Sequence, residues 1–511
     1  MSEQDNARRA PMSYIATARA YCLDLAATAF LFVSASVMAG RVWRFPFDDE
    51  IATLLHIEPD AARELIENFP ATTDVHPPFS YLMFYGLRQL GFSDAAMRLV
   101  SLLLAFLALA LCQILVLTWL SQRAEGGKPA SPTRLVGVLT FGLMPLAVSQ
   151  GDAIRWYPLF AALIMSFVVL YLVPRHEWHR LWSAVALGLA ASTDFSAALI
   201  VPPLLIYRHL LQRRFRWSFD LAYWLIVMAG AAVGFCSAYW IFTYGMIAVR
   251  GEFSHGVVRS VLTNMLGFFG GNALGVSQAW IVILIIIVFA LAAVSEIDRQ
   301  KPGKPVHFLL LLLSAPALMT LAGFAKPRSF LYLTPVAGAL ITMFFDRQLQ
   351  QGHVQRAIAV TAITFATSVA AIANLISGTH PFKRNSIVPY QTIFDFIDRN
   401  ANGSALVVST DPVVPWVLRG AEDRSAGYFF DVRQCLESGR RYDSIFVISG
   451  HSDRFNSITL MDNFQALVGE LTAGRTKRAS MPAGHDADAA LKTRLTGVPL
   501  DPTILTVDFY R

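Results

Sequence analysis

A mainly α-helical bundle that crosses a membrane many times, followed by a small soluble α/β unit, is the fold this sequence predicts. Three observations carry that reading. The 511 residues are 55% apolar and only 15% charged, whereas ordinary soluble domains carry about 25% charged residues. Long apolar runs recur at close to the roughly 17–25 residues that a bilayer demands. Beyond about residue 380 the chain turns polar, and short β-branched runs alternate with segments of helical spacing.

The apolar runs lie at about 20–40, 97–120, 133–150, 155–174, 219–241, 278–296, 306–323, 329–346 and 355–377. The stretch 181–207 reads either as one long helix or as a hairpin broken at Ser192-Thr193-Asp194. Flanking charge decides between them, because Lys and Arg mark the loops that stay inside. Arg175 and Arg180 precede the stretch, and Arg208, Arg213, Arg214 and Arg216 follow it. Both flanks therefore belong on one side, which requires two crossings and places Asp194 near the outer side.

With the hairpin the chain makes eleven crossings, with its N-terminus inside and its C-terminal part outside. Arg123, Lys128 and Arg134, and later Arg299, Lys301 and Lys304, then also fall inside. Residues 41–96, where nine Asp and Glu outnumber four Arg, form an outer loop. Arg8, Arg9 and Arg19 before the first apolar run fit an uncleaved first span. The predicted units are 1–378 in the membrane and 379–511 outside it.

In the second unit, 404–409, 444–449 and 504–510 read as strands, and 390–399 and 460–471 as helices. It carries neither a GxGxxG nor a P-loop, which removes support for nucleotide binding. The four cysteines (Cys22, Cys112, Cys236, Cys435) are dispersed and form no CxxC, so neither a disulfide framework nor a thiolate metal site is expected. The net charge of +6 is spread over short loops. Positive-inside topology accounts for it better than nucleic acid does.

The acidic stretch Phe47-Asp48-Asp49-Glu50 follows the first span and precedes Asp74-Val75-His76-Pro77-Pro78-Phe79. Carboxylates beside an apolar span are costly near lipid and mark a functional site. Farther along come Gly91-Phe92-Ser93 with Arg98, then Arg155-Trp156-Tyr157, then Lys326-Pro327-Arg328-Ser329-Phe330-Leu331-Tyr332 with Pro335. In this order and on one predicted face, these motifs resemble the GT-C glycosyltransferases. The nearest likeness is to the protein O-mannosyltransferase and aminoarabinose transferase group, related to glycosyltransferase family 39. Two departures stand out: Asp152 lies three residues before Arg155 where relatives place a carboxylate two before, and Asp194-Phe195 stands where relatives often have His-Tyr.

The resemblance implies transfer of a sugar from a polyprenyl-phosphate donor to a hydroxyl of a glycan, lipid or protein acceptor. Bacterial inner membrane, with the reaction on its periplasmic face, is the expected location. Asp49 is the expected base, since an attacking hydroxyl must lose its proton. Asp48 and Glu50 flank it, and their charge is expected to raise its pKa toward a useful range. The leaving phosphate needs cations rather than an acid, unlike the leaving group of a glycosidase. His76, Arg155, Tyr157, Lys326 and Arg328 are the candidates for that contact, Arg being suited to phosphate by its planar fork.

Each candidate has a plainer alternative. Asp49 suits a helix N-cap, His76 a helix start ahead of Pro77, and Arg155 and Arg328 an interfacial anchor. Arg250, His255 and Arg259 lie in a Gly-rich outer loop that would suit a cover over the site. No organic cofactor is expected. A divalent metal is left open, since Asp48, Asp49, Glu50, Asp74 and His76 offer ligands but match no metal spacing. A transporter or flippase of a lipid-linked sugar is the alternative function, against which no two-fold hydropathy repeat is apparent.

Overall fold

The computed structural model describes residues 19–39, 50–51, 53–54, 57–58, 77–123, 129–172, 177–211, 217–240, 305–313, 327–377, 388–411, 413–418, 424–428, 441–450, 458–485, 489–496 and 502–511. It also describes scattered positions between 268 and 290.

The bundle is built from α1 (Cys22–Met38), α2 (Phe79–Gln89), α3 (Asp94–Arg123), α4 (Ser131–Gly142), α5 (Pro145–Gln150), α6 (Trp156–Leu172) and α7 (Glu177–Ala191). A 3-10 helix, Phe195–Ile200, leads into α8 (Val201–Leu205) and a π-helical stretch, Ile206–Leu211. Next come α9 (Trp217–Trp240), α10 (Pro305–Leu312), a second 3-10 helix Pro327–Leu333, α11 (Thr334–Gln350) and α12 (Val354–Ser377).

Three stretches, Asp94–Arg123, Ser131–Gln150 and Val354–Ser377, are long and apolar enough to cross a bilayer. Their outer faces agree with that role. Leu99, Leu103 and Leu107 on α3 form an exposed stripe at four-residue spacing, and Leu221, Leu225 and Met228 form another on α9. Apolar stripes of this kind face lipid rather than water, and the chain is an integral membrane protein. The helix α6 is buried on nearly every side and forms the centre of the bundle, as its all-round apolar sequence requires.

Two expectations are refined. The run 133–150 is not one continuous helix but breaks at Leu143-Met144. Pro145 opens α5, and Met144 before it is extended, the conformation that a residue preceding proline favours. The stretch at 181–207 does reverse. Gly188 of α7 lies against the Ile226 carbonyl of α9, and Ser192 Oγ donates to the Gly230 carbonyl at 3.2 Å. Rising numbers pair with rising numbers, so α7 and α9 run parallel. The chain must therefore return between them, and residues 195–211 make that return.

The C-terminal unit is a five-stranded sheet in the order β2-β1-β3-β5-β4. Its strands are β1 (Ala405–Ser409), β2 (Arg424–Tyr428), β3 (Ser444–Gly450), β4 (Lys477–His485) and β5 (Thr503–Tyr510). The first three are parallel, and β5 pairs antiparallel with both β3 and β4. Ala405 and Val407 face α13 (Tyr390–Asn400), while Leu406 and Val408 face α15 (Ile458–Thr472). Covering on both faces is what a parallel core needs. Two short helices, α14 (Val413–Leu418) and α16 (Ala489–Thr496), complete the unit.

Candidate active site

One end of the bundle gathers residues that are far apart in sequence. Glu50, Ile51, Thr53 and Leu54 are helical, and Ile57 N–H donates to the Thr53 carbonyl at 3.2 Å. Helical spacing places Glu50, Thr53, Leu54 and Ile57 on one side of this segment. Leu54 and Ile57 anchor it against Tyr81, Phe84, Met97 and Ile154. Glu50 and Thr53 are thereby held over the polar residues beneath.

Glu50 is fully buried (0% exposed), and Arg98 is 3% exposed. The two form an ion pair, Arg98 Nη2 to Glu50 Oε2 at 3.2 Å and Nε to Oε1 at 3.4 Å. Ile154 N–H also donates to Glu50 Oε1, at 3.0 Å. Glu50 therefore does not stand in water, as a carboxylate row on an open loop would. Its charge is answered by Arg98 and by the Ile154 backbone N–H. The cost of burying these ions is met only by such close pairing.

The neighbour of Ile154 is Arg155, also buried, whose Nη1 donates to Thr53 Oγ1 at 3.0 Å and reaches Tyr81 OH at 3.5 Å. The turn 151–155 that carries Asp152, Ile154 and Arg155 depends on Gly151. A Cβ there would sit 2.5 Å from the Ala147 carbonyl oxygen and 3.1 Å from Phe32 Cζ. Asp152 is fully buried in the same turn.

From Arg155 an aromatic row runs into the bundle. Trp156 packs edge-on against Tyr157 and Phe160, with centroids 4.5 and 5.5 Å apart, and Phe160 packs on Tyr332 at 5.2 Å. Tyr332 is fully buried, and its hydroxyl has no hydrogen-bond partner among the described residues. Asp194 caps the first 3-10 helix, accepting from Ser196 N–H at 2.8 Å. The hairpin tip meets the Pro77-Pro78 segment, where Phe79 N–H donates to the Ser192 carbonyl at 3.2 Å.

Of the predicted site residues, Glu50, Arg155 and Tyr157 thus come together at this end. Asp48, Asp49, His76 and Lys326 lie outside the described residues, as do Asp74, Arg250, His255 and Arg259. The backbone of Arg328 lies in the 3-10 helix that carries Tyr332. Sequence reasoning missed Thr53 and Tyr81. Thr53 was findable, since it lies one helical turn beyond Glu50, but nothing in the sequence marks Tyr81. Among the described residues no group of three or more His, Cys, Asp or Glu is placed to hold a metal ion.

No family model matches the sequence, and no curated protein matches it. Among solved structures, the chain is similar to ArnT from Cupriavidus metallidurans bound to undecaprenyl phosphate, with a TM-score of 0.50 and 13% identity. That similarity covers 96% of this chain and 98% of the other. The apo form of the same ArnT matches with a TM-score of 0.48 and 12% identity, over 85% and 87% of the two chains. Along nearly its whole length, this chain has the fold of ArnT, an aminoarabinose transferase of the GT-C type.

Proposed function

We propose that the protein is a glycosyltransferase that moves a sugar from a polyprenyl-phosphate carrier to an acceptor hydroxyl at the extracytoplasmic end of the bundle. The observation that carries this reading is the junction of the Glu50–Arg98 pair with Arg155 through consecutive residues, Ile154 and Arg155. A carboxylate-bearing segment and a guanidinium are thereby set side by side at one end of an apolar bundle. The ArnT of similar fold was solved with undecaprenyl phosphate, a ligand that pairs an anionic head with a lipid tail.

In this reading Asp49 takes the proton of the acceptor hydroxyl as its oxygen attacks the anomeric carbon. The bond from that carbon to the carrier phosphate breaks, and the phosphate leaves with an added negative charge. Asp48 is the second carboxylate in reach. Glu50, held by Arg98, fixes the segment rather than accepting the proton. Arg155 faces the developing phosphate charge, with His76, Lys326 and Arg328 as further contributors and Tyr157 shaping the wall. Preorganised positive charge of this kind lowers the barrier without rearrangement during the reaction. One displacement of this type inverts the anomeric centre.

Asp49→Asn is the direct test. Transfer of labelled sugar from a polyprenyl-phosphate donor should fall roughly 10²–10⁴-fold, with membrane insertion unchanged. Near-normal transfer in that variant would place the base elsewhere.

A further inference from the structure

The side of the acidic segment turned away from the bundle has its own partner. Ile51, the residue after Glu50, is 5% exposed. It belongs to the apolar cluster of the C-terminal unit, which also holds Tyr390, Ile393, Phe394 and Ile397 of α13 and inward residues of β1, β3 and β5. Trp416 of α14 packs against that same cluster and also against the cluster of Leu54, Ile57, Tyr81, Phe84, Met97 and Ile154. The C-terminal unit therefore takes up one side chain of the segment, and Trp416 joins the unit's core to the cluster on the segment's other side.

We propose that the C-terminal unit is a working part of the catalytic centre, with Ile51 and Trp416 as positioning residues that set the height and angle of the acidic segment. This rests on the transferase reading above and assigns the unit a role within it. The physical reason is the shape of the segment. An amphipathic segment takes most of its stability and its orientation from the surfaces it packs on rather than from its own helical propensity. The Arg98 pair holds it at one point, and a second contact about 100° around the helix is needed to stop rotation about that point. Ile51, one residue on, supplies it. The cluster that takes up Ile51 is built on a folded sheet, which makes the restraint a rigid one. A shift of about 1 Å at a reacting group costs on the order of 10²-fold in rate.

The test compares Trp416→Ala, Trp416→Phe and Ile51→Ala in the full chain, purified in detergent. The expected result for Trp416→Ala is a kcat lowered roughly 10²-fold with the KM for the polyprenyl-phosphate donor within twofold of the parent. Trp416→Phe, which keeps an aromatic wedge, should restore kcat to within a few-fold. A parallel readout needs no catalysis. In a cysteine-free background with Ile57→Cys, a position of the segment that is fully buried, Trp416→Ala should speed labelling by an impermeant maleimide at least several-fold, and Trp416→Phe should not.

If Trp416→Ala does not elute as a folded species, Ile51→Ala carries the same two measurements. Unchanged kcat together with unchanged labelling in a folded variant would overturn the proposal. A loss confined to KM would also overturn it, since it would make the unit a binding surface. If no donor supports transfer, the transferase reading fails, while the labelling result still judges the positioning claim.

Discussion

The two ends of the bundle handle charge differently. At the end away from the site, several charged and polar residues meet in separate local clasps. Arg134 grips both carboxylate oxygens of Asp24 at 2.7 and 2.8 Å and stacks over Tyr21, which bonds Ser121 at 2.8 Å. Thr133 and Gln350 share Asp346 at 2.9 and 2.6 Å, and Arg208 pairs with Asp220. These clasps tie α1 to α4, α4 to α11, and the return stretch to α9. They lie at separate points around the bundle and hold it shut.

At the site end the buried polar groups converge. Glu50, Arg98, Thr53, Tyr81 and Arg155 lie in one connected layer, and Tyr332 lies at the far end of an aromatic row leading from it. Scattered clasps suit stability, whereas a shared layer suits chemistry. Interacting charges gathered in one cleft mark functional sites for that reason.

Removing one cation from each end probes this contrast most strongly. Arg98→Ala strands the fully buried Glu50 and should cost about 3–5 kcal/mol. Arg134, by contrast, is partly exposed at 30%, so Arg134→Ala should cost about 1 kcal/mol or less after solvent screening. Thermal unfolding in detergent reads both. Equal losses would erase the distinction between the ends. Adding Glu50→Gln to Arg98→Ala should recover part of the stability without recovering transfer.

A packing test comes next. A Cβ on Gly230 would lie 2.1 Å from the Gly188 carbonyl oxygen, whereas one on Gly86 meets nothing within 4 Å. Gly230→Ala should therefore lower stability by about 1–3 kcal/mol through forced separation of α7 and α9. Gly86→Ala, inside α2, should raise it by roughly 0.5–1 kcal/mol. A tolerant Gly230 would mean that the hairpin tip, with Ser192 and Asp194, is held less closely than described.

The smallest expected change in stability is the sharpest test of the site layer. Tyr332→Phe removes a hydroxyl that has no partner among the described residues, so unfolding should shift by less than about 0.5 kcal/mol. Transfer activity should nonetheless fall if that hydroxyl meets substrate. Unchanged activity would leave Tyr332 as packing under Phe160.

Much of the bundle was legible because membrane insertion writes itself into composition. The hairpin at 192–194 followed from arginines on both flanks, whereas the break at Met144 was not read, although Pro145 is its physical cause. In the C-terminal unit, β1, β3 and β5 announced themselves by β-branched or alternating residues. β2 and β4 did not. Arg424–Tyr428 has no β-branched residue, and Lys477–His485 is an exposed edge strand with Pro482 within it, a position where sheets tolerate proline.

The sequence by itself determined that this chain enters a membrane, that it is mostly helical with a small mixed unit after it, and that carboxylates and arginines recur at the ends of apolar runs. Hydropathy and charge act residue by residue, so they can be read along a line. Which charges meet was decided only in three dimensions. The pairing of Glu50 with Arg98 and Ile154, the placing of Arg155 over Thr53, and the burial of Ile51 in the C-terminal sheet join segments roughly 50 to 450 residues apart. Such contacts arise from packing of whole helices and a sheet, and no local pattern encodes them.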